Sequence, residues 1–201
     1  MPPAPDRPSP EMPPRPRAGL RSVTARAPTR RLPLPGASAY PFAMPDPAAL
    51  RIALTDPDDP AALSCVGGYY RYLLAAFPDL FVPAMLPLPL PDAARYRPPD
   101  GAFLVAWSGD LPVGCVSHRP LRPGVAEVKR LWVDASQRGQ GLARRLMRAT
   151  EDHARETGVA HLQLDTHSAL TAAVALYRSE GWTDIPPYTA PPANVWLSKR
   201  L

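Results

Sequence analysis

From Glu127 to Leu146 the chain passes from a strand through a glycine turn into a helix, and this order constrains the fold more than any other stretch. Val128 to Val133 is rich in β-branched and aromatic residues, the composition of a strand. Asp134 to Gln137 forms a polar turn, and Arg138-Gly139-Gln140-Gly141-Leu142-Ala143 follows it. Leu142, Leu146 and Ala149 or Thr150 then recur at helical spacing. The first main-chain N–H groups of such a helix have no acceptor within it. Together with the positive end of the helix dipole they make an anion seat, and small residues let oxygens approach the main chain. Arg138 at the mouth of the turn and Arg144 one turn inside can add charge-assisted bonds. The stretch reads as a pyrophosphate cradle; a plain glycine-rich connection with surface arginines has the same local pattern.

It is neither a Walker loop, which needs Gly-Lys-Ser/Thr, nor a dinucleotide fingerprint, which needs a third small residue and a downstream acid. Two later segments add to it: Leu162-Gln163-Leu164-Asp165-Thr166, and Ala175-Leu176-Tyr177-Arg178-Ser179-Glu180-Gly181-Trp182. With Arg138-x-x-Gly141-x-Ala143 they resemble the acyl-CoA signature, the next strand and the Leu-Tyr-x-x-x-Gly-aromatic helix end of the GNAT superfamily of N-acetyltransferases. The resemblance runs from about Leu50 to Leu201 and is strong between Glu127 and Trp182. It implies an α/β fold of the α+β type, a mixed, mostly antiparallel central sheet flanked by helices. It also implies acetyl-CoA as acetyl donor, no metal, and direct attack by a primary amine of a small molecule or protein.

The same resemblance implies roles for individual residues. Tyr177 is the candidate acid, since a phenol with a pKa of about 10 keeps its proton at neutral pH and can protonate a more basic developing anion or hydrogen-bond the leaving thiolate. Glu127 is the candidate base, with an ion pair to Lys129 as its structural alternative. Leu131, Trp132 and Val133 would hold the pantetheine arm, Leu131 N–H serving the oxyanion. Arg138, Gly139, Gln140, Gly141, Leu142, Ala143 and Arg144 would hold the diphosphate. Strict alternation puts Glu127, Lys129, Leu131 and Val133 on one face, a phase that a bulge would break. Tyr69, Tyr70 and Tyr72 fall where the family walls its acceptor pocket, and His118 and His167 are the histidines to check there. A frequent asparagine of the family's last helix is Leu170 here. A catalytically idle acyl-CoA-binding module is the competing reading.

Composition divides the chain in two. Fourteen of the thirty prolines lie in residues 1–48, with seven arginines and few acids. The charge excess before Pro45 equals the formal +5 of the whole chain, so residues 49–201 are close to neutral. Residues 1–48 are expected to be a disordered Pro/Arg-rich tail, and 49–201 the folded domain. A neutral domain argues against nucleic-acid binding as its task, while a homodimer stays open. Cys65 and Cys115 lie in apolar runs without a second ligand at metal spacing, which favours buried structural thiols. No apolar run is long enough to span a bilayer, and a cytoplasmic location is expected.

Along the domain the pattern predicts a strand from Leu50 and a helix capped by Asp58 or Asp59, with Leu63, Val66, Tyr70, Leu73, Leu74 and Phe77 facing the core. Gly67-Gly68 in that helix suggests a bend or the close approach of another backbone. Prolines from Pro78 to Pro99 exclude a long helix. A hairpin follows, Ala102–Trp107 with Val113–Ser117, then the central strand and the cradle helix, ended by Gly158. His161–Asp165 is the next strand, Ser168–Glu180 the last helix, and Asn194–Lys199 a closing strand.

Overall fold

A computed structural model describes residues 50–201; the expectation for residues 1–48 lies outside the described residues. The sheet has seven strands in the order β1-β2-β3-β4-β5-β7-β6. They are β1 (Leu50–Leu54), β2 (Ala102–Ser108), β3 (Leu111–Arg122), β4 (Val125–Val133), β5 (His161–Thr166), β6 (Thr183–Asp184) and β7 (Val195–Arg200). Every pairing is antiparallel except β4 with β5, so the sheet is mixed and mostly antiparallel, as the resemblance implies.

Alternation along β2 shows how two cores are built on one sheet. Leu104 and Ala106 join the cluster of Leu142, Leu146 and Met147 from helix α2 (Leu142–Glu156). Phe103 and Val105 join the opposite cluster, with Ala62, Cys65, Val66 and Tyr70 of helix α1 (Pro60–Ala76). Asp59 caps α1 by accepting from Ala61 N–H at 2.8 Å, whereas Asp58 pairs with Arg97. Val66, Tyr70 and Leu73 are buried as expected, but Leu63, Leu74 and Phe77 are only half-buried. The core face of α1 is completed by small residues instead, Ala61, Ala62 and Cys65. Gly67 and Gly68 sit inside one unbroken helix. What comes close is a side chain rather than a backbone: the Trp132 ring lies 2.7 Å from where a Cβ on Gly68 would stand.

From Pro78 to Pro99 the chain forms two single turns of 3₁₀-helix, Pro83–Met85 and Ala93–Tyr96. Helix α2 ends in paired reverse bonds, Gly158 N–H to Arg155 O and Val159 N–H to Ala154 O. The last helix, α3, spans Thr171–Ser179 and starts later than the pattern suggested. His167 and Leu170 close a turn ahead of it, with Leu170 N–H bonded to His167 O. Gly181 and Trp182 end α3 with the same paired bonds, to Arg178 O and Tyr177 O. Strand β6 has no precedent in the pattern; two exposed residues carry no periodicity.

Candidate functional site

Two local irregularities open the sheet where the site lies. Strand β4 pairs with β5 only at Val125–Glu127, and beyond that the strands have no ladder between them. The edge of β4 from Val128 to Val133 that faces β5 is thereby left to a ligand. Within the same stretch the β3–β4 register shifts between Cys115 and Ser117, and Arg130 has a φ of 57°. This bulge breaks the strict alternation. Val128, Leu131 and Val133 belong to the α2-side core, while Trp132 belongs to the α1-side core. Arg130 also turns to the α1 side, its guanidinium 4.8 Å above the Tyr96 ring. Leu131 and Val133 therefore do not share a face with Glu127 and Lys129.

A cleft of about 780 Å³ runs through this gap. One wall is Tyr69, Tyr70, Tyr72, Phe77 and Phe81; the floor is β4 from Val128 to Val133; the other wall is Leu164 to His167 with α3 as far as Tyr177. Its far end holds Arg138, Gly139, Gly141, Leu142, Ala143 and Arg144. The structure thus brings nearly all the expected donor-binding residues, and Tyr177, onto one surface. Gln140 is exposed beside them and donates to Ser136 O at 3.4 Å.

Gly139 and Gly141 have φ of 76° and 77°, and the space where a Cβ would point is open at both. Gly141 is the N-cap of α2, so the N–H groups of Leu142, Ala143 and Arg144 lack helical acceptors. The arginines have other partners. Arg138 donates to Val133 O at 3.0 Å and stacks 4.8 Å over Tyr72, and Arg144 pairs with Glu180 at 2.5 Å.

Tyr177 is 7% exposed, and burial, followed by the nearby Tyr69 and Asp165, pushes its phenol above the ordinary value. Burial likewise pushes Tyr69 up, with the Arg130 charge opposing. Both phenols stay protonated at neutral pH. Glu127 is placed differently. It is 1% exposed and does not line the cleft; Arg119 holds it at 2.9 Å and Lys129 at 3.1 Å. The ion pair between Glu127 and Lys129 is present. Arg119 also pairs with Asp92, so both of these acids are closed off from the cleft by one arginine.

His118 is fully buried, with its Nε2 2.9 Å from His153 Nδ1, so it does not reach the acceptor side. His153 is half-buried and packs on His118. His167 does line the cleft, its Nδ1 accepting from Ala169 N–H at 3.1 Å. Cys65 and Cys115 are free and buried. Burial raises the Cys115 thiol well above its usual range, which leaves no thiolate for an acyl-enzyme. The pattern-based reading missed Asp165 as a site residue. It is the one carboxylate among the described residues lining the cleft. Its signal was an acid within a strand, where acids are depleted.

Among the described residues no helix is long and apolar enough to cross a membrane. The sequence model of the acetyltransferase (GNAT) family matches residues 68–182. The chain is 35% identical over 114 residues to the "IAA acetyltransferase" of Azospirillum brasilense, covering 55% of this chain and 74% of that protein. A putative acyl-CoA N-acyltransferase from Klebsiella pneumoniae superposes with a TM-score of 0.61 at 26% identity, over 77% of this chain and 99% of that one. An N-acetyltransferase from Thermoplasma acidophilum, solved in complex with coenzyme A, has the same fold, with a TM-score of 0.61 at 14% identity over 76% and 99% of the two chains. With its splayed β4–β5 pair and glycine-led helix in place, this chain belongs to the GNAT family of acetyltransferases and is an acyltransferase.

Proposed function

We propose that the protein transfers an acetyl group from acetyl-CoA to a primary amine by direct attack within the cleft. The observation that carries this reading is the continuity of the gap between β4 and β5, which joins the α2 N-terminus to the phenol of Tyr177. The residues fit the donor. Leu142, Ala143 and Arg144 offer main-chain N–H groups for the diphosphate, and Gly139 and Gly141 leave open space before them. Arg138 and Arg144 exchange Val133 O and Glu180 for the same anion, with Gln140 at the rim. Leu131, Trp132 and Val133 present the unpaired β4 edge to the pantetheine arm.

When bound, acetyl-CoA supplies an acetyl thioester. Leu131 N–H donates to the carbonyl oxygen as negative charge gathers on it. Tyr177 gives its proton to the departing sulfur. Glu127 acts in this reading by fixing Lys129, not by touching the amine, because its carboxylate is enclosed. Residues 49–201 form the catalytic domain, 1–48 an appended segment, and the location is cytoplasmic, where acetyl-CoA is supplied.

Replacing Tyr177 by Phe tests the reading. We expect kcat to fall about 10²- to 10⁴-fold with little change in acetyl-CoA affinity. Unchanged kcat would remove Tyr177 from the chemistry. Saturable acetyl-CoA binding without coenzyme A release across a panel of amines would favour the idle binding module.

A further inference from the structure

Three cations cluster where β3 meets β4: Arg119, Lys129 and Arg130. Two of them are answered by hydrogen-bonded carboxylates. Arg119 spans Asp92 and Glu127, the latter at 2.9 Å, and Lys129 Nζ reaches Asp165 at 2.5 Å. Arg130 is different. Its Nη1 donates to the Tyr96 phenol at 2.5 Å, with the Tyr70 phenol also in reach. Its Nη2 stands 3.7 Å from Asp92 Oδ1, beyond hydrogen-bond distance. The other oxygen of Asp92 is shared by Arg119 and by Tyr96 O–H at 3.2 Å. A guanidinium keeps its charge in any protein, so a largely enclosed one without a hydrogen-bonded anion is left short of a partner. Arg130 is 15% exposed and lines the cleft. What brings it there is its φ of 57°, a left-handed backbone that long side chains seldom adopt and that gathers at functional sites. Its charge acts on the Tyr69 phenol, and Tyr69 in turn on Tyr177, so the three share the acceptor end of the cleft.

We propose that Arg130 is an anion seat for the acceptor: the molecule that is acetylated also carries a carboxylate, which the Arg130 guanidinium binds while the amine faces Tyr177. This rests on the acetyl-transfer reading and narrows its acceptor to amino acids. Their side chain is apolar, because the wall on the α1 side of the cleft includes Tyr69, Phe77, Phe81 and Met85. The planar fork of a guanidinium suits the two oxygens of a carboxylate. An acceptor without an anion leaves Arg130 as it stands, with only phenols to accept its hydrogen bonds. The carboxylate takes no part in the bond changes. From the neutral amine, the nitrogen lone pair forms the N–C bond, and the C–S bond breaks with its electron pair on sulfur, which takes the Tyr177 proton. The proton shed by nitrogen returns to the phenol through solvent, which leaves an N-acetyl amino acid and a thiol.

The test uses the full chain, coenzyme A release, and acceptors matched in their apolar body: phenylalanine, phenylalaninamide and phenethylamine, and leucine, leucinamide and isoamylamine. The wild type should favour each acid over its amide and its decarboxylated amine by about 10- to 100-fold in kcat/KM, as expected for one charge-assisted contact. Arg130→Gln should erase that preference by raising KM for the acids and leaving the other four little changed. Arg130→Lys, which keeps the charge without the fork, should recover part of it, and acetyl-CoA titration should give wild-type affinity in both variants. A wild type that treats acid, amide and amine alike, or a deficit of equal size across the series in Arg130→Gln, overturns the assignment while leaving acetyl transfer intact. No release by the wild type with any amine, despite acetyl-CoA binding, overturns the transfer reading and this assignment with it.

Discussion

Neighbouring glycines in α1 have opposite surroundings. At Gly68 a Cβ would stand 2.7 Å from two ring carbons of Trp132, closer than van der Waals contact allows. At Gly67 it would meet only the tip of Arg71 at 3.3 Å and Leu88 at 3.7 Å. Alanine gains about 1 kcal/mol over glycine inside a helix. At Gly67 that gain should survive, because the Arg71 head can swing aside. At Gly68 the bulky indole, held in the α1-side core and aimed by the bulge at Arg130, should reverse it. We expect Gly67→Ala to stabilise by up to about 1 kcal/mol and Gly68→Ala to destabilise by about 1–3 kcal/mol in urea denaturation. A Gly68→Ala protein more stable than wild type would mean the indole has room to move. The sequence announces that something must come near these glycines, but cannot say what, since Trp132 reaches them only because the bulge sets its direction. Asp165 was obscure for a related reason: its identity is plain, but its isolation depends on which carboxylates Arg119 happens to occupy.

Helix α2 carries a left-handed glycine at each end, Gly141 with φ 77° and Gly158 with φ 78°, both with open space where a side chain would project. Alanine at either position pays only for its backbone conformation, about 1–2 kcal/mol. The two ends differ in what that backbone aims. Gly141 sets the directions of the N–H groups of Leu142 and Ala143, whereas Gly158 only turns the chain toward β5. Gly141→Ala should therefore weaken acetyl-CoA binding about tenfold or more, as expected for losing a charge-assisted bond. Gly158→Ala should match its stability loss in thermal denaturation without that change in affinity. Equal affinities by calorimetric titration would take the diphosphate away from this helix end. Helix α2 was legible because its apolar stripe, its caps and its flanking strand agree with one another. Helix α3 was misjudged at its start because His167 and Leu170 close a turn by main-chain bonds that periodicity does not register. Residues 78–99 could be denied a helix by their prolines but not given a path, since 3₁₀ turns leave no repeat to read.

For the molecule as a whole, the buried His118–His153 contact ties β3 to α2, and through α2 to the cradle. His118 is fully enclosed, and burial, with the neighbouring His153 as a smaller cause, lowers its pKa from 6.5 to about 4. Above pH 6.5 the folded and unfolded chains both carry this imidazole neutral, so it does not make stability depend on pH there. As pH falls from 6.5 toward 4, the unfolded chain takes up a proton that the folded chain refuses, and stability drops by up to about 1.4 kcal/mol per pH unit. Below pH 4 the folded form is protonated too and the loss from this group levels off. Asp134 is held low by its bonds to Ser136, and Glu180 by Arg144, so both carboxylates favour the fold while ionised and weaken it only as pH falls through their own lower range. The interval from pH 7 to 5 lies above the range in which these two carboxylates act, and the comparison with a His118 variant assigns the rest. Urea midpoints measured at pH 7, 6 and 5 should fall steadily for the wild type and much less for His118→Gln, whatever the variant's stability at pH 7. Equal slopes for the two proteins would mean that the acid sensitivity arises elsewhere and that His118 is protonated without opening the contact between β3 and α2.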